Sequence, residues 1–194
     1  RYLGNHSSGK MGYSLARAAE AKGAEVTLIS APTTLNKPNG VELIKVETAQ
    51  EMYQQVMTLK DDQDMIIMAA AVADYRPVDS KQQKIKKDDG ILELKLERTT
   101  DILSELGQEK QDNQLLIGFA AETENLLDNA HDKLLDKQVD FIVANNVAAD
   151  DVGFASDSNE VTVISEHGRK NIDQANKLKI AIEIFAYIIN HSSN

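Results

Sequence analysis

The sequence predicts an α/β chain of the doubly wound class, a mostly parallel sheet with helices on both faces and a small antiparallel strand extension. Three observations carry that expectation. Strand-like apolar segments alternate with amphipathic helical ones. The segments at 65–73 and 115–121 are too continuously apolar to keep one wet face, as in strands covered on both sides. Glycine, proline and polar clusters fall between the segments and punctuate them.

Taken in order, Lys10 to Lys22 is alanine-rich with Met11, Leu15 and Ala18 or Ala19 at helical spacing, and Gly23 stands where a terminating glycine would. Glu25 to Ser30 reads as a strand, Pro32 and Pro38 bracket a loop, and Val41 to Glu47 is a second strand. Thr48 offers an N-cap with Glu51 three residues on, opening a helix to about Leu59. Met65 to Ala73 is expected as a buried central strand and Asp74 to Lys87 as a loop. Beyond an Asp89-Gly90 turn, Leu92, Leu94 and Leu96 alternate with charged residues as a half-exposed strand. Asp101 to Gly107 gives a short helix, Leu115 to Ala121 a strand, Glu124 to Lys137 a helix and Phe141 to Ala144 a strand. Glu160 to Ser165 and Arg169 to Ile172 flank His167-Gly168 as a small hairpin. In the last helix Ala175, Leu178, Ile182, Phe185 and Ile189 form the stripe expected to face the core. The whole, residues 1–194, is read as a single Rossmann-like domain. Such a half opens on a strand, whereas this chain opens on a loop and a helix, so the first strand is expected to be missing from it.

Composition narrows function. Acidic residues number 31 against 21 basic ones, a net charge of −10, which excludes a surface that coats nucleic acid or anionic lipid. With no cysteine there are no disulfides, zinc-thiolate sites, iron–sulfur clusters or thiol nucleophiles. The longest apolar run, Met65 to Ala73, is nine residues, about half of a membrane span. No signal-peptide pattern opens the chain. The expectation is a soluble cytoplasmic protein with no nucleic-acid or membrane partner.

Chemistry concentrates in a few segments. Gly4-Asn5-His6-Ser7-Ser8-Gly9-Lys10-Met11-Gly12 lies directly before a helix, where amides and the helix dipole can cradle an anion. Met11 stands where a nucleotide-triphosphatase loop has a magnesium-binding hydroxyl, and a packing turn is the plainer alternative. Asp74 follows the buried strand, the place where open α/β sheets put ligands, and suits a metal or a turn equally. Lys81, Lys84, Lys86 and Lys87 form a basic run in an acidic protein, either a solvated face or a neutraliser of phosphate. Lys133 and Lys137 share a helix face beside the apolar stripe of Leu126, Ala130 and Leu134, as half-buried stems would. His6, His131, His167 and His191 show no metal-ligand spacing.

The order of Asn5-His6-Ser7-Ser8-Gly9-Lys10-Met11-Gly12, Ala70-Ala71-Val72-Ala73-Asp74-Tyr75-Arg76, Lys84-Ile85-Lys86-Lys87 and Gly118-Phe119-Ala120-Ala121-Glu122-Thr123 closely resembles phosphopantothenoylcysteine synthetase in its CTP-dependent bacterial form. The resemblance spans nearly the whole chain. It implies a ligase of coenzyme A biosynthesis: CTP activates the carboxylate of 4′-phosphopantothenate as an acyl-cytidylate, and the amine of L-cysteine then displaces CMP. It implies that Asn5 holds the acyl intermediate and that Lys84 contacts the nucleotide and closes with its loop. It places Met68, Ala69, Ala70, Asp74, Thr100, Asp101, Ile102, Leu103, Phe119, Lys133 and Lys137 at the CTP, with Ser7, Ser8, Gly9 and Lys10 in the phosphate loop. Asp74 would stand by Mg²⁺ or Mn²⁺. The family's turn reads Asn-Pro-Asp-Ile, whereas this chain has Thr99-Thr100 in place of Asn-Pro. A homodimer and a fused flavin-dependent decarboxylase are further implications. The competing expectations are an NAD(P)-binding oxidoreductase, for which Ser30-Ala31 offers no acidic ribose reader, and a non-catalytic nucleotide-binding module.

Overall fold

The structure, a computed structural model, describes residues 4–5, 7–79, 93–122, 126–146 and 158–192. In chain order its elements are α1 (Lys10–Glu20), β1 (Thr27–Ser30), β2 (Glu42–Lys45), α2 (Ala49–Leu59), β3 (Met65–Met68), β4 (Tyr75–Pro77), β5 (Leu96–Arg98), α3 (Ile102–Glu109), β6 (Leu115–Glu122), α4 (Leu126–Asp136), β7 (Phe141–Asn146), β8 (Ser158–Ser165), β9 (Gly168–Asn176) and α5 (Lys177–His191).

Five strands form the main sheet in the order β3-β6-β7-β8-β9. β3, β6 and β7 run parallel, whereas β8 and β9 add antiparallel, with a bulge between Asn159 and Val161. β1 and β2 pair in parallel as a separate two-stranded sheet. The expected α/β class therefore holds, with the parallel pairs and the antiparallel end both present.

Side-chain alternation sends neighbouring residues of one strand to opposite faces. Phe141 and Val143 join one buried cluster with Leu15 and Ala18 of α1 and Ile180, Ile184 and Ile188 of α5. Ile142 and Ala144 join the other, with Met52 and Val56 of α2, Ile102 and Leu106 of α3, and Ala130 and Leu134 of α4. Helices thus cover both faces. Burial of these aliphatic side chains, each worth roughly 1.5–3 kcal/mol, is the main force holding the layers together.

Local signals worked where they were strong. Thr48 caps α2, its hydroxyl accepting from the Glu51 amide at 3.1 Å, while the Glu51 carboxylate accepts from the Glu47 amide at 2.8 Å. Gly23 adopts φ 87° after α1, a conformation that favours glycine.

Four expectations need correction. The strand expected over 65–73 ends at Met68 and is only half-buried, because among the described residues it stands at the end of the main sheet, paired on one edge with β6. Within the loop expected over 74–87, Tyr75–Pro77 is a strand paired antiparallel with Leu96–Arg98. The expected hairpin forms, with Ser165 paired to Gly168, but it is not small: its strands are eight and nine residues long and belong to the main sheet, with Val161, Val163 and Ile172 in the core. In α5 the core face is Ile180, Ala181, Ile184, Phe185 and Ile188, whereas Leu178, Ile182 and Ile189 are exposed. Both stripes of that helix repeat at three and four residues, so periodicity alone could not choose between them.

Candidate functional site

Four of the described candidate residues, Met68, Ala69, Ala70 and Asp74, lie at or just beyond the carboxyl end of β3. Parallel sheets expose their ligand crevice at that end. Met68 and Ala69 are half-buried, while Ala70 and Asp74 are exposed. Met68, Val72 and Leu103 pack at the border of one core cluster, and Ala69 and Phe119 at the border of the other.

The glycine-rich loop reaches the same place. Asn5 Nδ2 donates to the Val72 carbonyl at 3.1 Å, a contact across 67 residues of sequence. Gly9 is the N-cap of α1 at φ 71°, with no side-chain cap and no acidic residue in the first turn. Those amides and the positive end of the helix dipole therefore favour an anion. Ser7 Oγ accepts from the Gly9 amide at 3.4 Å, and the Thr33 hydroxyl donates to the Ser8 carbonyl at 3.3 Å, which pins the turn. Lys10 opens the helix and is half-buried.

Thr100 is exposed, and Asp101, Ile102 and Leu103 start α3. Asp101 is its N-cap: Oδ1 accepts from the Ser104 amide at 3.0 Å, while Oδ2 faces Lys137 Nζ at 2.8 Å. Burial would raise the Asp101 carboxyl, but the bonds from Lys137 and the Ser104 amide outweigh it. Its pKa therefore lies below the ordinary 3.8. Lys133 Nζ donates to the Phe119 carbonyl at 3.3 Å. Lys137 falls just past the end of α4 rather than inside it, though its amide still donates to the Lys133 carbonyl at 3.1 Å. Each ammonium is thus held by a protein acceptor.

Two glycines permit this approach. A Cβ on Gly107 would stand 1.9 Å from the Lys137 carbonyl oxygen, and one on Gly118 would stand 2.8 Å from both Leu103 and Ile142. Gly107 lets α3 lie against the end of α4, and Gly118 lets Leu103 lie on β6. The sequence, which carries Gly118 within a motif and Gly107 at a helix end, did not reveal these close approaches, although a glycine inside a short helix is itself a signal. Thr99, marked in the sequence only as a departure from the family's Asn-Pro, donates its hydroxyl to the Ala73 carbonyl at 2.5 Å.

Lys84 and the other lysines of its run, together with His6, lie outside the described residues. Two hollows of about 510 and 390 Å³ lie elsewhere, between α1, residues 35–39 and the start of α5; of the candidate residues only Lys10 lines either. Of the rim at 69–74, Ala70 and Asp74 are exposed and the rest is half-buried. Among the described residues no three His, Asp or Glu side chains are grouped to hold a metal. Ser30, where a dinucleotide enzyme would carry its ribose acid, is engaged locally, accepting from Tyr13 Oη at 3.3 Å and donating to the Ala31 carbonyl at 2.8 Å. Among the described residues no helix is long and apolar enough to cross a membrane.

Comparison with known proteins gives the following. The family model described as "DNA/pantothenate metabolism flavoprotein C-terminal domain" matches residues 1–191. The chain is 45% identical over 190 residues to the coenzyme A biosynthesis bifunctional protein CoaBC of Bacillus subtilis (strain 168), covering 97% of this chain and 47% of that protein. It thus spans about half the length of the curated relatives it matches. It is 41% identical to a crystal structure of the C-terminal domain of CoaBC, with a TM-score of 0.81 over 98% of this chain and 87% of that one. A mutant of Cab2 in complex with phosphopantothenate-cysteine shares the fold, with a TM-score of 0.74 at 17% identity over 100% of this chain and 82% of that one.

Proposed function

Because the chain belongs to the family of the DNA/pantothenate metabolism flavoprotein C-terminal domain, we propose that it is a CTP-dependent ligase domain of coenzyme A biosynthesis. It joins 4′-phosphopantothenate to L-cysteine. The observation that carries this reading is that Asn5 bonds Val72 and Thr99 bonds Ala73, both beside Asp74, with Thr99 standing two residues before the Asp101–Lys137 pair.

The reaction runs in two displacements. A carboxylate oxygen of 4′-phosphopantothenate attacks the α-phosphorus of CTP, the α,β phosphoanhydride bond breaks, and pyrophosphate leaves. The cysteine nitrogen then attacks the acyl carbon, the bond to the cytidylate oxygen breaks, and CMP leaves as the amine loses a proton. A carboxylate resists nucleophiles, so the mixed anhydride is what makes the amide accessible, and the protein's share is positioning and charge stabilisation.

Each residue has a task in that scheme. The α1 amino end with Ser7, Ser8, Gly9 and Lys10 holds a phosphate group. Asn5 is oriented by its bond to Val72 and donates to the oxyanion that develops on the acyl carbon, where a carboxylate would repel it. Met68, Ala69, Ala70, Thr100, Ile102, Leu103 and Phe119 shape the nucleotide's bed, and Lys133 and Lys137 supply positive charge at its edge. Lys84 contacts the nucleotide and closes over it, as the resemblance implies. The exposed Asp74 carboxylate fits a divalent ion held by one acid and the substrate's own phosphates, the usual mode for Mg²⁺. When bound, the ion neutralises phosphate charge.

A homodimer is part of the proposal. Tyr75, Val78, Leu94 and Leu96, on and beside the β4–β5 pair, are 46, 49, 55 and 45% exposed, whereas the β8–β9 hairpin has its apolar residues in the core. The projecting β4–β5 pair is therefore the surface to bury in a partner copy. A fused decarboxylase and a cytoplasmic location complete the reading, the relatives being named as bifunctional proteins.

Mass spectrometry tests the chemistry. Incubation with CTP and 4′-phosphopantothenate alone is expected to give the acyl-cytidylate and pyrophosphate, and added L-cysteine to convert it to amide and CMP. Absence of both products would reject the ligase.

A further inference from the structure

Thr99 takes two successive carbonyls where the chain enters β4. Its hydroxyl donates to Ala73 O at 2.5 Å and its amide to Asp74 O at 2.9 Å. The strand pairing that precedes it, Tyr75 with Arg98 and Pro77 with Leu96, closes the same ladder, and the Arg76–Glu97 ion pair at 2.8 Å adds to it. Two residues later Asp101 caps α3 and holds Lys137. With Asn5 on Val72, three consecutive carbonyls, those of Val72, Ala73 and Asp74, are each claimed by a residue distant in sequence.

We propose that Thr99 is a positioning residue for the nucleotide site: its hydroxyl fixes the Ala73–Asp74 peptide and so sets the distance between the Asp74 carboxylate and the first turn of α3. The inference rests on the ligase reading, since it assumes that both segments meet one triphosphate. The strand ladder alone would register β4 against β5, but it leaves the Ala73 carbonyl free to rotate. Only the side chain supplies the second bond, and a hydroxyl at this position does so through a single donor. Asp74 is exposed, so its placement depends on the backbone beneath it.

The test compares Thr99→Val, which keeps the shape and removes the donor, with Thr99→Ser, which keeps the donor. Steady-state pyrophosphate release is measured in the full-length protein at saturating 4′-phosphopantothenate and cysteine, alongside melting temperatures. Thr99→Val is expected to raise KM for CTP about five- to tenfold, with kcat within about twofold and the melting temperature little changed. Thr99→Ser is expected to restore KM to within about twofold of the parent. An unchanged KM in Thr99→Val, an equal rise in Thr99→Ser, or a loss confined to the melting temperature would overturn the role of Thr99. If the parent protein itself releases no pyrophosphate from CTP, the ligase reading fails and the inference falls with it.

Discussion

Asp101 and Lys137, thirty-six residues apart, meet with Oδ2 and Nζ at 2.8 Å, so that one carboxylate both caps the start of α3 and ties it to the end of α4. The two roles separate by substitution. Asn caps about as well as Asp but carries no charge, whereas Ala does neither. Asp101→Asn should cost up to about 1 kcal/mol, since the carboxylate is half-exposed and such ion pairs contribute little. Asp101→Ala should cost about 1 kcal/mol more. Urea unfolding of the two variants checks the order.

The same pair gives a pH dependence. The Asp101 pKa is lower in the folded protein than its ordinary value of 3.8. Its contribution is therefore complete above the unfolded pKa and is lost as pH falls through the folded one. Between about pH 5 and pH 2 the parent should lose more stability than Asp101→Asn, and their difference should vanish at the acid end. Unfolding midpoints measured across that range would show the two curves converging.

Gly107→Ala places a methyl 1.9 Å from the Lys137 carbonyl oxygen, a backbone atom that cannot swing aside. It should destabilise the fold by about 1–3 kcal/mol. Gly12→Ala is the contrasting case, because its Cβ meets nothing within 4 Å inside α1. That change should gain roughly 0.5–1 kcal/mol from helix propensity. Thermal melts of the pair distinguish steric conflict from a general intolerance of change at glycine.

Asn5→Asp sets a negative charge against the Val72 carbonyl and against the developing oxyanion. Amide formation should fall about 10²-fold or more, and pyrophosphate release by less. Single-turnover assays of each half-reaction separate the effects. Equal survival of both steps would remove Asn5 from the chemistry.

Much of this was legible in the sequence where local chemistry is decisive. The Thr48–Glu51 cap, Gly23 at positive φ and the alternation of strand with helix follow from short-range rules, and the structure carries them. The α5 stripe misled because the helix is apolar on two faces, and only packing against α1 and the main sheet decides which one is buried. β4 was unreadable because Tyr75–Pro77 is three residues long, contains a proline and gains its strand character from a partner twenty or so residues on. At the candidate site, the resemblance named residues in separate segments, while the bonds that unite them join partners such as Asn5 to Val72 and Thr99 to Ala73. A side-chain hydroxyl on a distant carbonyl leaves no periodic trace.

The central claim is that one CTP is held at the rim around residues 69–74. Calorimetric titration of CTP with Mg²⁺ into the full-length protein tests it most directly, using Asp74→Asn, Lys137→Met and, as a remote comparison, Lys170→Met, whose lysine pairs with Glu183 at 3.5 Å between β9 and α5. The account predicts that the parent binds CTP, that the first two variants bind about tenfold more weakly, and that Lys170→Met binds like the parent. No binding by the parent, or equal weakening in all three variants, would contradict it.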